Sequence, residues 1–258
     1  IIGDGMGIAQ TYAAYNENYK FLNMFLFPFT GISLTYSFNN PITDSAAGAT
    51  AFSCGEKTNN KSLGKDSLGK DIKNIFEIAK QNNLSTGFAV TCAITHATPA
   101  AFYAHNVNRN QFDTIALDFM NENVDVAIGG GKKYFTDRRD KRNLLSELNK
   151  HGYKFYENVD SINCITDCKI ICIPALKELP KKTAGRGDYL TKEMTKEIKV
   201  LSKDKDGYIL MVEGSQIDWG NHANNIDYVT SETIDLDNAV GIALEYAKVY
   251  DGGTKEKW

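Results

Sequence analysis

The 258-residue chain carries 29 Lys and Arg against 32 Asp and Glu, a formal net charge of −3, with 42% hydrophobic and 24% charged residues. Such a chain can bury one substantial core, as a single large domain or as a domain with an inserted lobe, and its composition argues against disorder. Its slight acidity leaves no broad basic surface for nucleic acid, and it has no apolar run of the ~18 residues that a membrane span requires.

The sequence opens Ile1-Ile2-Gly3-Asp4, inside what reads as a strand and without a Met or signal peptide. It is therefore read as a piece whose N-terminus is missing. Strand-length apolar runs then alternate with longer amphipathic segments, the signature of an α/β fold around a largely parallel sheet. Strands are expected near Ile1–Gly3, Gly31–Tyr36, Thr86–Val90, Val124–Ile128, Lys169–Ile173 and Tyr208–Val212. Helices are expected at Ala46–Ser53, Asp71–Gln81, Gln111–Asn121, Arg142–His151, Tyr189–Leu201 and Ile234–Lys248. Residues 152–187 have a less regular pattern and are assigned to a lobe at the sheet edge. The run Ile128-Gly129-Gly130-Gly131-Lys132-Lys133 lacks the spacing of a phosphate-binding P-loop and reads as a glycine turn after a strand.

Four stretches carry candidate chemistry. Gly3-Asp4-Gly5-Met6-Gly7 places a carboxylate at a strand end between glycines that let backbone approach a ligand. Thr43-Asp44-Ser45-Ala46-Ala47-Gly48-Ala49-Thr50-Ala51 sets Ser45 at a helix N-terminus, where free N–H groups favour an anion; simple capping by Asp44 or Ser45 is the alternative. Thr95-His96-Ala97-Thr98-Pro99-Ala100-Ala101 follows a strand and leads to Arg109, whose planar fork suits two phosphate oxygens. Met211-Val212-Glu213-Gly214-Ser215-Gln216-Ile217-Asp218-Trp219-Gly220-Asn221-His222 delivers Glu213 at a strand end. Its Asp218 and His222, four residues apart, fall on one helix face, as a zinc pair or as a surface ion pair.

Five cysteines are present, Cys54, Cys92, Cys164, Cys168 and Cys172, and the last three lack the spacing and partners of a structural zinc site. One disulfide or free thiols is expected, and the odd count leaves at least one thiol unpaired within the chain.

In this order and over nearly the whole chain, the four stretches resemble the alkaline phosphatase family of metal-dependent phosphomonoesterases. The resemblance implies a three-layer α/β/α sandwich spanning residues 1–258 as one domain, truncated at both ends. It makes Ser45 the nucleophile and Arg109 the clamp on the non-bridging phosphate oxygens. Asp218 and His222 would hold a first zinc, Ser45 and Asp4 a second, and Asp4, Thr98 and Glu213 a magnesium, with His96 behind that magnesium rather than on it. Two Zn2+, one Mg2+, phosphate monoester substrates, a homodimer and an exported, bacterial periplasmic location follow from the same resemblance. The family's remaining zinc ligands lie further along than Trp258, and neither His105 nor His151 is read as a replacement. Two rivals stand beside this reading: a short homologue that binds phosphate or metal without turnover, and a sulfatase or phosphodiesterase on the same sheet.

Overall fold

A computed structural model describes residues 1–162 and 169–250. In chain order its elements are β1 (Ile2–Gly3), α1 (Ile8–Glu17), α2 (Ser45–Cys54), α3 (Ile75–Gln81), β2 (Ser85–Ala93), α4 (Ala97–Ala100), α5 (Phe112–Glu122), β3 (Val126–Gly130), α6 (Lys133–Thr136), α7 (Leu144–Lys150), β4 (Tyr153–Tyr156), β5 (Lys169–Cys172), α8 (Tyr189–Leu201), β6 (Tyr208–Gly214), α9 (Gln216–His222) and α10 (Ile226–Tyr250). All six strands run parallel in one sheet of order β1-β6-β2-β3-β5-β4. A buried parallel strand needs apolar residues on both faces, and β2 supplies them. Its Phe88, Val90 and Cys92 join a core with Phe119, Tyr103, Leu144 and Leu148, while the intervening Ala89 meets Leu190, Met194 and Leu236 from α8 and α10 on the other face. The result is the expected sheet between two helical layers.

Several boundaries move, and each for a local reason. Residues 71–74 stay outside α3 because Asn74 caps it, accepting from the Phe76 and Glu77 amides while Glu77 reaches back to the Asn74 amide at 2.8 Å. α10 begins eight residues before the expected Ile234. Its first half hides polar side chains in contacts with distant residues: Glu232 and Asp235 are buried against Arg186, and Asp237 accepts from the backbone of Asn23 and Met24. Its hydrophobic period is thereby obscured. α1 escapes the sequence reading because Ala14 is its one buried residue.

The expected strand at Gly31–Tyr36 is not formed. Its alternating Ile32 and Leu34 are 99% and 75% exposed, and the segment pairs with no described strand. Alternation alone does not make a strand when no ladder partner lies beside it. The stretch 152–187 contains β4 and β5, both hydrogen-bonded into the one sheet. Cys54, Cys92 and Cys172 are free thiols, whereas Cys164 and Cys168 lie outside the described residues, as does the tail from 251 onward. The Gly129–Lys133 turn aims its amides inward, not at an anion: Gly131, Lys132 and Lys133 donate to the carbonyls of Ala175, Lys177 and Leu176.

Candidate functional site

Three neighbouring strands, β1, β6 and β2, end side by side, and open parallel sheets offer their ligand sites at such carboxyl ends. Asp4 follows β1 directly. Glu213 lies near the end of β6, paired in register with Ile2 on one side and Val90 on the other. Beyond β2 the chain turns at His96 into α4, which carries Thr98.

α2 brings Ser45 across this rim. The Ser45 hydroxyl donates toward the Asp4 carboxylate, 3.1 Å from each oxygen. Asp44 is the helix cap, its Oδ1 accepting from the Ala47 amide at 3.0 Å, so the capping role belongs to Asp44 and Ser45 Oγ is left to face Asp4. The second Asp44 oxygen receives Arg109 Nη1 at 3.2 Å and the Lys61 amide at 3.1 Å. One carboxylate therefore both starts the helix of Ser45 and aims the guanidinium beside it. Sequence reasoning weighed Asp44 only as a cap.

Glu213 is fully buried among small donors. Ser215 Oγ donates to its Oε2 at 2.5 Å, Cys92 Sγ lies 3.5 Å from the same oxygen, and Thr98 hydrogen-bonds to the carboxylate. Its Oε1 is buried with no hydrogen-bond partner. Burial, then the charge of Asp4, push the Glu213 carboxyl up to about 7. Asp4 is pushed up to about 6 by burial first and Asp218 second, with the Ser45 hydrogen bond and Arg109 pulling the other way. Three carboxylates thus converge on one partly closed space.

Asp218 and His222 share a face of α9, with His222 Nε2 3.4 Å from Asp218 Oδ2. Gly5 allows Asp218 to come this close to β1: its φ is +64°, and a Cβ there would stand 2.7 Å from Asp218 Oδ1. Asn221 braces the junction, donating to the Gly5 carbonyl and accepting from Gln10, both at 2.9 Å. His96 is half-buried, its Nε2 3.4 Å from Arg109 Nη2 and its ring edge-on to Trp219. Burial, then the Arg109 charge, lower its pKa to about 3, so the ring is neutral.

Every residue singled out from the sequence reaches this rim, joined by direct contact or mutual charge: Asp4, Ser45, His96, Thr98, Arg109, Glu213, Asp218 and His222. Ser215, Cys92 and Asn221 join them without having been foreseen. Ser215 and Asn221 lie within the Glu213–His222 stretch, whereas nothing near Cys92 in the sequence signals its role. The donor set suits divalent cations. Asp4, Thr98 and Glu213 offer hard oxygens, and the orphaned Glu213 Oε1 is the kind of buried acceptor a cation satisfies. Asp218 and His222 offer the oxygen and imidazole nitrogen that zinc accepts.

A family profile described as Alkaline phosphatase matches residues 1–254. Alkaline phosphatase 3 of Bacillus subtilis is 40% identical over 265 residues, covering 96% of this chain and 57% of that protein. Alkaline phosphatase of Escherichia coli is 31% identical, covering 96% of this chain and 66% of its own length. This chain therefore spans between about half and two thirds of these curated relatives. Among solved structures, the alkaline phosphatase of the Antarctic bacterium TAB5 superposes with a TM-score of 0.93 at 41% identity, covering 98% of this chain and 74% of that one. A mutant of that enzyme, with Mg bound in its M3 site, superposes equally well. Profile, relatives and superposed structures agree with one another, and the chain belongs to the alkaline phosphatase family.

Proposed function

We propose that this chain supplies the nucleophile, the phosphate clamp and a share of the metal ligands of a phosphomonoesterase that releases inorganic phosphate through a phosphoserine. The observation that carries the reading is the Ser45 hydroxyl held on Asp4 while Arg109, fixed by Asp44, stands beside the same helix end. Arg109 would bind two non-bridging phosphate oxygens, whose charge grows most in need of neutralisation in the transition state. Ser45 Oγ, oriented by Asp4, attacks phosphorus in line with the ester oxygen. The Oγ–P bond forms as the ester P–O bond breaks; Oγ gives its proton to solvent and the leaving oxygen takes one up, so that it departs as the alcohol. Water then attacks the phosphoserine from the side the alcohol left, giving phosphate and free Ser45 with inversion at each step. Asp218 and His222 would hold one zinc, Asp4 and Ser45 a second, and Asp4, Thr98 and Glu213 a magnesium. Such ions, when bound, lower the pKa of a serine hydroxyl and of water and offset phosphate charge. His96, neutral and less anionic than a carboxylate, would face the magnesium only from outside its ligand shell.

The second reading is a chain that binds phosphate or metal without turnover; the buried Asp4 and Glu213 carboxylates, costly to keep without a cation, weigh against it. The sulfatase or phosphodiesterase reading is weakened by the pocket built around Glu213. An exported bacterial location and a homodimer are inferred from kinship. No helix among the described residues is long and apolar enough to cross a membrane.

The test is phosphoenzyme trapping. The chain is incubated with p-nitrophenyl phosphate, Zn2+ and Mg2+, quenched in acid and digested, and the Ser45 peptide is weighed. Nitrophenol release with a phosphorylated Ser45, both lost in Ser45→Ala, is the expected result. Release without phosphoserine, or release that survives Ser45→Ala, overturns the mechanism; phosphate binding with no release supports the second reading.

A further inference from the structure

Away from the rim, Glu77, His105 and Glu122 each bring one ligand atom to within 4.8 Å of the other two. Glu77 lies in the first turn of α3, Glu122 ends α5, and His105 sits on the turn after α4. Three elements thus meet at one point.

The imidazole is preset for ligation. Its Nδ1 lies 2.7 Å from the Gly64 carbonyl oxygen, which can only accept, so Nδ1 carries the hydrogen and Nε2 faces the carboxylates. A carbonyl behind a histidine is the usual device that fixes the ligating tautomer. Gly64 makes the approach feasible: its φ is +59°, and a Cβ would stand 2.6 Å from that Nδ1. Nε2 is 3.3 Å from Glu77 Oε2. Two donors each at about 2.0–2.1 Å from a tetrahedral zinc lie about 3.3–3.4 Å apart, so the Glu77–His105 pair is spaced for one ion, with the Glu122 atom within 4.8 Å of both. The Glu77 carboxylate is further anchored by the Asn74 amide at 2.8 Å.

Charge points the same way. Asp118, beside the cluster, accepts from the His105 backbone amide, and its Oδ2 is buried without a partner. Three carboxylates surround one imidazole. Lys65, the cation that acts on Asp118, is already paired with Asp71. A divalent ion would satisfy the donors and offset the surplus of negative charge.

We propose that Glu77, His105 and Glu122 form a zinc site separate from the phosphate-binding rim, with Asp118 behind the histidine and the remaining coordination filled by water. Bound there, zinc ties α3 and α5 to the strap that runs from His105 to Arg109, so its role is structural. The strap is otherwise held by the Leu63–Asn106 bridge and by the Arg109 amide on the Lys61 carbonyl.

The experiment uses the full chain with its first rim zinc site disabled, Asp218→Asn with His222→Gln, dialysed against zinc and read by elemental analysis and by thermal unfolding, each further variant being compared with this background. This background should retain zinc and a zinc-induced rise in Tm. Adding His105→Gln should remove one zinc per chain and the rise, or weaken binding by at least about tenfold. Glu122→Gln, at a helix end, gives the same reading should His105→Gln fail to fold. Zinc content and Tm response unchanged by either variant, or a background that holds no zinc, overturns the proposal.

Discussion

Replacing Glu213 by Gln removes a charge without changing shape, and the structure sets the size of the effect. Burial first, and the Asp4 charge second, raise the Glu213 carboxyl from 4.5 to about 7. An acid whose folded pKa lies above its unfolded value binds more protons in the folded state across that interval, so stability is present below the lower value and lost as pH rises through the upper one. For Glu213 the window runs from 4.5 to about 7, and for Asp4 from 3.8 to about 6. At ~1.4 kcal/mol per pH unit, Glu213 alone withdraws ~3 kcal/mol from the chelator-treated fold across its window. That is a large part of a typical domain's ~5–15 kcal/mol. A cation that binds only the folded carboxylates restores it by mass action.

The assay is urea unfolding of chelator-treated wild type and Glu213→Gln at pH 4.5 and pH 8. Wild type should lose ~3 kcal/mol more than the variant over that range, and added zinc and magnesium should abolish most of the difference. Glu193 and Glu197, raised by burial, and His96, lowered by burial, titrate in both proteins and cancel in the comparison. Equal pH slopes in the two proteins, or a wild type that gains on the variant as pH rises, would refute the reasoning.

Asp44→Asn keeps a good cap but takes the charge from Arg109, so unfolding should move little while kcat/KM for p-nitrophenyl phosphate falls by up to about 100-fold; Asp44→Ala should add ~1 kcal/mol of destabilisation from the lost cap. Gly5→Ala forces a Cβ into Asp218 at a φ of +64° and should destabilise the fold by ~1–3 kcal/mol while lowering zinc content, which calorimetry and elemental analysis would register. The exposed Ile32 and Leu34 should drive self-association of this chain, so Ile32→Glu with Leu34→Glu should lower its sedimentation-measured association at unchanged Tm.

The rim was legible because its chemistry is carried at strand ends and on one short helix. Asp4 and Glu213 close strands whose apolar character is plain, and the four-residue step from Asp218 to His222 needs only one turn to bring them together. What stayed hidden depended on partners far along the chain. Asp44 looks like any cap until Arg109, 65 residues later, is seen on its other oxygen. Cys92 reads as core until Glu213, 121 residues away, is found beside it. The start of α10 was lost because its buried side chains are acids matched to Arg186 and to the backbone at Asn23, not hydrophobes. The Gly31–Tyr36 strand was over-read because its alternation describes a surface able to pair, while pairing needs a neighbour.

Burial alone does not separate a binding carboxylate from a structural one, since Glu193 and Glu197 on α8 are as deeply enclosed as Glu213 and also hold unpartnered oxygens. The difference is in what surrounds them. Glu197 feels only the like charge of Glu193 beyond its burial, and Glu193 is drawn only by Arg186, which Glu232 and Asp235 already occupy. Such acids can remain protonated against apolar neighbours and need no ion. Glu213 instead has Ser215 and Thr98 donating to it, which favours the charged form, together with Asp4, which opposes that form. Donors that stabilise a carboxylate, set within a cluster of acids that repel one another, leave a positive charge as the one missing component. That combination is absent from α8, and it is the ground on which the proposed cation is placed at the strand ends, beside Ser45 and Arg109.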